Sequence, residues 1–522
     1  MPNYLSPGVY IEELEAGSRP IEGVGTAVAA FVGVTATGPT NQPTLVSNWG
    51  QYVATFGDFV PGAYTPLSVY SYFNNGGGAC YVVRVGAPDN SGNGQAPVAA
   101  ADLVSATKPG VAAYRVKSLE AGSAGDGVTV EVVRDPVPEG QDAESETFSL
   151  IVRRGPQELE RWENLTTKRG KQNARTLVNE RSAVINLEEI GSATGAERVP
   201  APGSVELTGG GALVPAGNIE STDEVVGSAA DRSGLGGLEA IEGITMVLAP
   251  DIMAAYKQEA ISLEGVQVIQ QAIIDHCENM GDRMAILDPP PGLNAQEVKE
   301  WRNEKAGYSS KFATLYWPWV KMFDPGTGEV DFVPPSGAVA GMWGRNDDTR
   351  GVHKAPANEV LRGVVDVQLN VTRPEHDQLN PEGINVIRSF AGRGVRVWGA
   401  RTLDGSDSEW RYVNVRRLFN YMESSILNGT QWVVFEPNDL DLWQRITRTI
   451  RGFLLGLWRD GALFGATPDD AFYVKCDAET NPPDSIDAGQ VIVEIGVAPV
   501  KPAEFVVFRL AQLSSGGANV TE

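Results

Sequence analysis

The feature that most limits what this chain can fold into is a rhythm in its second half. From residue 244, short apolar runs alternate with helix-length amphipathic ones. GITMVLAP is followed by 265–280, with apolar residues at Val266, Ile269, Ile273 and Cys277. RMAILDPP is followed by 294–305, and KFATLYWPWVKMF by a helix starting at 336–343. Parallel strands need a crossover long enough to hold a helix, so this β-α order predicts an open, largely parallel sheet. Beyond 384, INVIRSF and VRVWGAR read as strands and 413–428 as a helix. The next helix, 439–460, has Asn438 as its expected cap, Asp439 and Asp441 in its first turn, and Gly461 closing it. GQVIVEIGVAPV and EFVVFRLAQL read as two final strands.

The first half splits in two. Residues 26–87 carry a strand at TAVAAFVGV, helices at 49–56 and 66–74, and a strand at CYVVRV. Residues 88–235 are rich in small, polar and charged residues. They show β signals at YRVKSL, GVTVEVVRD and ETFSLIVRR, a polar helix within 167–184, and a run, GSATGAERVPAPGSVELTGGGALVPAGN, that reads as loops. The expected fold is therefore mixed α/β and multidomain, with a β-rich surface domain inserted into an open α/β core. The units are 1–25 (an extended arm and linker), 26–87, 88–235, 236–380, 381–500 and 501–522 (a terminal arm), in keeping with roughly 100–200 residues per domain.

Charge narrows the partners. A net charge of −24 repels phosphates and anionic lipid, so neither nucleic acid nor membrane anchoring is expected. The longest apolar stretch, 26–34, is far short of a span. The opening MPNYLSPGVYIEE has no basic region followed by an apolar core, so no secretion signal is read. Cys80, Cys277 and Cys476 are odd in number, far apart and without CxxC spacing, which points to reduced thiols and a cytoplasmic product.

Catalytic chemistry finds little to work with. Asp251, Asp288 and Asp324 each follow a strand-like run, and three carboxylates at strand ends could hold a divalent ion for a metal-dependent hydrolase or phosphotransferase. Against this, Asp288 and Asp324 open DPPPG and DPGTG, which are turn sequences. His276 and Cys277 are adjacent on a helix and point about 100° apart, so they are no nucleophile–base pair. His353 and His376 fall in polar stretches, no histidine has zinc spacing, and no phosphate-binding glycine loop is present. The short basic run KRGKQNAR (168–175) lacks interleaved aromatics. No catalytic residue, metal or cofactor is assigned.

The two ends are more telling. Val9, Tyr10, Ile11 and Glu12, and Phe505, Val506, Val507, Phe508, Arg509 and Leu510, form strand-like runs beyond connectors that contain Gly or Pro. A strand of this length cannot bury itself locally; it must complete a sheet in this subunit or in another.

Several motifs, in order and spacing, resemble the contractile tail-sheath family. They are YLSPGVYIEE with GSRPIEGVGTAVAAFVGVTATGP, GSAADRSGLGGLEAIEGI (227–244), HKAPANE (353–359), NPEGINVIRSFAGRGVRVWGARTL with YVNVRRLFNYMESSI, and IGVAPVKPAEFVVFRL (495–510). The resemblance is weakest between about 135 and 225. It implies a structural sheath subunit of a phage tail or tail-like contractile injection system, made in the producing cell and polymerised around an inner tube, with baseplate and terminator (cap) proteins as further partners. It also implies that both terminal arms add strands to neighbouring subunits, and that a C-terminal domain faces the tube. Residues 380–460 hold eleven Arg and nine Asp or Glu and no Lys, a slightly basic stretch in an acidic chain. Arg445, Arg448 and Arg451 form a stripe on the 439–460 helix and are the expected tube-facing residues.

Overall fold

Ala29, Ala30, Phe31 and Val32 are fully buried, as a continuous apolar run must be when both faces of its strand are covered. That strand, β1 (Val28–Gly33), belongs to a nine-stranded sheet. The others are β2 (Thr44–Val46), β3 (Ala79–Arg84), β4 (Met246–Leu248), β5 (Met284–Leu287), β6 (Ala313–Trp317), β7 (Glu359–Val360), β8 (Ile384–Phe390) and β9 (Gly394–Val397). Their order is β7-β9-β8-β6-β5-β4-β1-β3-β2. The six strands from β8 to β3 run parallel, with registers such as Ala30 opposite Val247 and Leu315 opposite Ile384. Antiparallel strands finish both edges. This computed structural model describes residues 20–509 apart from 87–97, 109, 122–126, 135–146, 156, 191–194, 209–218, 326 and 406–407.

The sheet is the open, largely parallel one that the β-α rhythm requires. Three details differ from the sequence reading. KFATLYWPWVKMF is two strands, not one: Pro318 has no N–H to give a ladder. β6 stays in the main sheet, while Val320–Asp324 joins a separate antiparallel sheet with Glu329–Val333 and Val364–Val367. The chain after β4 enters a short helix, Asp251–Lys257, that no periodicity announced. β8 and β9, grouped by the sequence reading with the unit starting at 381, extend the core sheet because Ile384, Val386 and Ile387 are buried there.

Between β3 and β4 the chain leaves the sheet. The described residues from 98 to 208 build two small antiparallel sheets, one of three strands and one of four, around their own core of Val116, Val130, Leu150, Val152 and Leu187. The inserted β-rich unit is present. The run read as loops nonetheless contains a strand, Gly203–Glu206, paired with Val128–Arg134. Gln157–Leu165, with sequence QELERWENL, is an edge strand whose charges hid it.

After β9 come two long helices, Val413–Gly429 and Leu440–Arg459, and a two-stranded sheet, Phe472–Lys475 with Glu494–Val497. They share a third core that includes Leu418, Met422, Trp443, Ile446, Ile450, Leu454 and Phe472. Among the described residues no helix is long and apolar enough to cross a membrane.

Candidate assembly surfaces

The Leu440–Arg459 helix is capped by Asp439, whose Oδ1 accepts the Leu442 N–H at 2.9 Å. The expected cap, Asn438, instead accepts the Trp443 indole N–H at 2.8 Å and donates to the Gln490 carbonyl at 2.9 Å. Gly461 does close the helix, at φ 78°. With its apolar stripe buried, the helix presents a polar face.

The three arginines on that face are not equivalent. Arg445 pairs with Glu436 at 3.1 Å and Asp441 at 3.4 Å and lies over the Trp432 ring. Arg451 pairs with Asp469 at 2.6 Å. Arg448 is exposed and has no ion pair among the described residues. Exposed pairs of this kind contribute about 0–1 kcal/mol, so Arg445 and Arg451 are tethered rather than spent.

The C-terminal run is as exposed as a surface loop, although its sequence is a strand's. Phe505, Val506, Val507 and Phe508 are 75, 69, 77 and 84% exposed, and no ladder is formed by residues 505–509. The small sheet stops at two strands among the described residues. A two-stranded sheet is marginal alone and leaves edges that accept another strand. Leu510 and the N-terminal run Val9, Tyr10, Ile11 and Glu12 lie outside the described residues.

Both arm roots are fixed. The linker reads as a free connector in the sequence, yet Ile21 is buried against the C-terminal core. The Val24 N–H donates to Ser425 Oγ at 3.2 Å, and the Thr26 carbonyl accepts from Arg417 at 2.9 Å. At the other end, Glu504 takes four hydrogen bonds. Arg401 gives two (2.9 and 2.7 Å), the Tyr412 hydroxyl one (3.0 Å) and Asn380 one (2.6 Å). Burial alone would raise the Glu504 carboxyl; the Arg401 and Asn380 contacts outweigh it and hold it below its ordinary value. These partners are 92 to 124 residues apart in sequence, so no spacing pattern pointed to them. Arg417 was missed for the same reason. It pairs with Asp347, both side chains under 5% exposed, and lies 4.6 Å from the Trp343 ring centroid.

The aspartates of the hydrolase reading have structural duties. Asp251 is buried. Its Oδ2 accepts the Val34 N–H at 2.6 Å and its Oδ1 the N–H groups of Tyr64 and Thr65, so it ties the end of β1 to the start of the Thr65–Asn75 helix. Asp288 does likewise for the Ser336–Arg350 helix, accepting the Ser336 N–H at 3.0 Å and its hydroxyl at 2.5 Å. Asp324 ends a hairpin strand, and its carbonyl accepts the Gly328 N–H at 2.8 Å, as a DPGTG turn would. Among the described residues no three His, Cys, Asp or Glu gather to hold a metal. His276 is buried 3.2 Å from an Arg283 nitrogen, and burial first, then that charge, push it down to about 4. Cys277 is buried on the same helix.

An exposed strand-length apolar tail beside a two-stranded sheet is what a structural subunit that assembles by strand addition would present. Comparison with known proteins gives that class its family. Residues 233–403 match the phage tail sheath protein central domain and residues 405–512 the phage tail sheath C-terminal domain. The chain belongs to the phage tail sheath family. The tail sheath protein of Burkholderia phage BcepMu is 24% identical over 97% of this chain and 96% of its own length. That of Vibrio phage KVP40 is 23% identical over 52% of this chain; the chain spans only 43% of that longer relative. Among solved structures, the PVC sheath complex of an extracellular contractile injection system, in the contracted state, superposes with a TM-score of 0.59. The identity is 23%, over 98% of this chain and 99% of that one. The sheath tail protein from Desulfitobacterium hafniense gives 0.57 at 12% identity, over 94% and 100%. At these identities the structural likeness speaks for the fold.

Proposed function

We propose that this chain polymerises as a contractile sheath around an inner tube and that exchange of its terminal arms links the subunits. The observation that carries the reading is the apolar segment Phe505–Phe508. It is left in water at the end of a fold whose small sheet has open edges. Strand addition satisfies backbone groups at such an edge. About six residues give several hydrogen bonds, each worth on the order of 1 kcal/mol net. Links of that kind hold while body contacts rearrange, which is what a sheath that shortens and widens requires. Residues 9–12 supply the second arm. The exposed face of the Leu440–Arg459 helix, with Arg448 at its centre, meets an acidic tube surface, and baseplate and cap proteins complete the particle. The chain is made in the cytoplasm of the producing cell.

Deleting Met1–Glu13, and separately residues 505–522, tests this. Co-expressed with the tube protein, each truncated subunit should remain folded and monomeric, and negative-stain microscopy should show bare tubes. Sheathed tubes from either truncation, as abundant as from the full-length chain, would refute it.

A further inference from the structure

We propose that Asn380, Arg401 and Tyr412 clamp Glu504 to fix where and in which direction the C-terminal arm leaves the subunit. The Val413–Gly429 helix then holds that exit at a set distance from the exit of the N-terminal arm. The inference rests on the reading that the arms are exchanged.

Glu504 is the last residue with substantial burial; every described residue after it is exposed. A fork-to-fork guanidinium–carboxylate pair fixes orientation as well as distance. The Arg401 side chain is 7% exposed, so water and salt weaken the pair little. Arg401 is itself immobilised. The buried Asn385 side chain on β8 accepts the Arg401 N–H at 2.7 Å and donates to its carbonyl at 2.8 Å. Tyr412 is the residue that precedes the Val413–Gly429 helix. One carboxylate thus joins the arm to the core sheet and to a helix end.

The other end of that helix holds the N-terminal linker. An added Cβ on Gly429 would lie 2.6 to 3.0 Å from the Ile21 side chain, so Ile21 rests directly on the helix backbone. The helix has 17 residues, which puts the two exits roughly 25 Å apart along its axis. Upstream of Glu504, the nearest hold on the tail is the Val500 carbonyl, which accepts from Asn414 at 3.1 Å. Losing the clamp frees the four residues 501–504, roughly 14 Å of slack when extended. Slack of more than half the spacing leaves neighbours tethered but no longer placed.

The test uses full-length Glu504→Gln, which removes the charge, and Tyr412→Phe, which removes one of four contacts at almost constant volume. Hydrogen exchange of the Glu504 amide, which bonds to the Pro502 carbonyl at 3.1 Å, should rise tenfold or more in the first and a few-fold in the second, with the thermal midpoint of the isolated subunit within a few degrees of wild type. Co-expressed with tube protein, Glu504→Gln should still form sheathed tubes, but with variable pitch and weakened layer lines. Wild-type helical order and wild-type exchange in both variants would overturn the clamp. The 505–522 deletion separates the two ideas. If it assembles normally, arm exchange is wrong. If it fails to assemble while Glu504→Gln is fully ordered, only the clamp is wrong. Should Glu504→Gln lower the midpoint of the whole subunit, exchange and pitch in Tyr412→Phe decide.

Discussion

Replacing Asp347 by Ala tests the joint between the core sheet and the C-terminal unit. Asp347 lies on the Ser336–Arg350 helix and Arg417 on Val413–Gly429. The pair is closed to water, at 4 and 3% side-chain exposure. After the substitution Arg417 keeps only the Thr26 carbonyl at 2.9 Å and the Trp343 ring face. Removing one partner of a buried pair strands the other charge and costs about 3–5 kcal/mol. The ring contact already exists in the wild type, so it offsets none of this. Because the chain has three separate cores, a global unfolding curve would mix transitions. Native-state hydrogen exchange reads each region by itself. Opening free energies across Val413–Gly429 should fall by about 3–5 kcal/mol, while amides of the inserted sheets stay unchanged. The charge-free double variant Asp347→Leu with Arg417→Met should recover most of the loss, since well-packed apolar replacements for buried pairs are often neutral or better. A single-variant loss below about 1 kcal/mol, or a double variant as weak as the single, would refute the assignment of this pair as the joint.

Other perturbations follow from the same geometry. Burial pushes the Asp288 carboxyl up to about 7 against the hydrogen bonds from Ser336, from an ordinary 3.8. Its contribution is therefore complete below pH 4 and lost as pH rises through 7, so Asp288→Asn should flatten the urea-midpoint slope across that window; an unchanged slope counts against it. Gly429→Ala should drive Ile21 from its seat at about 1–3 kcal/mol, seen as faster proteolysis near residues 20–25, whereas wild-type cleavage would show the contact to be loose. Arg448→Glu should lower tube binding and flatten its salt dependence in co-sedimentation, since an attractive charge contact is lost. Arg451→Glu also loses its Asp469 pair, so tube decoration unaffected by Arg448→Glu would end the tube-facing reading.

The parts legible in the sequence are those written in local periodicity. The β-α alternation from 244 onward predicted the parallel sheet, and TAVAAFVGV read as a strand, whose burial on both faces the fold then showed. What stayed hidden is held by partners far apart in the chain, or by signals that imitate another state. Gln157–Leu165 is a strand made by pairing and not by apolar alternation. Pro318 divides one apolar run between two sheets. Arg445, Arg448 and Arg451 formed a stripe in sequence; the Asp441 pair of Arg445 is a local i,i+4 contact, but only the fold brought Glu436 to Arg445 and Asp469 to Arg451.

The same division separates what builds the subunit from what would connect it. Apolar periodicity specifies the three cores. The joints are single charged or polar contacts between distant residues: Asp347 with Arg417, and Glu504 with Arg401, Tyr412 and Asn380. In a sheath that changes its lattice, this division has a physical consequence. A core contact that yields exposes apolar surface at roughly 25 cal/mol per Å² and threatens the fold, whereas contacts between subunit bodies can change while exchanged strands keep the neighbours linked. Rearrangement should therefore be confined to surfaces between subunits, and each subunit should move as a rigid piece with its arm roots fixed. Amides of β1, β4, β5 and β6 should accordingly keep the same exchange protection in extended and contracted sheath, with differences concentrated in surface segments between subunit bodies. Loss of protection in the central strands on contraction would show that the fold itself is part of the spring.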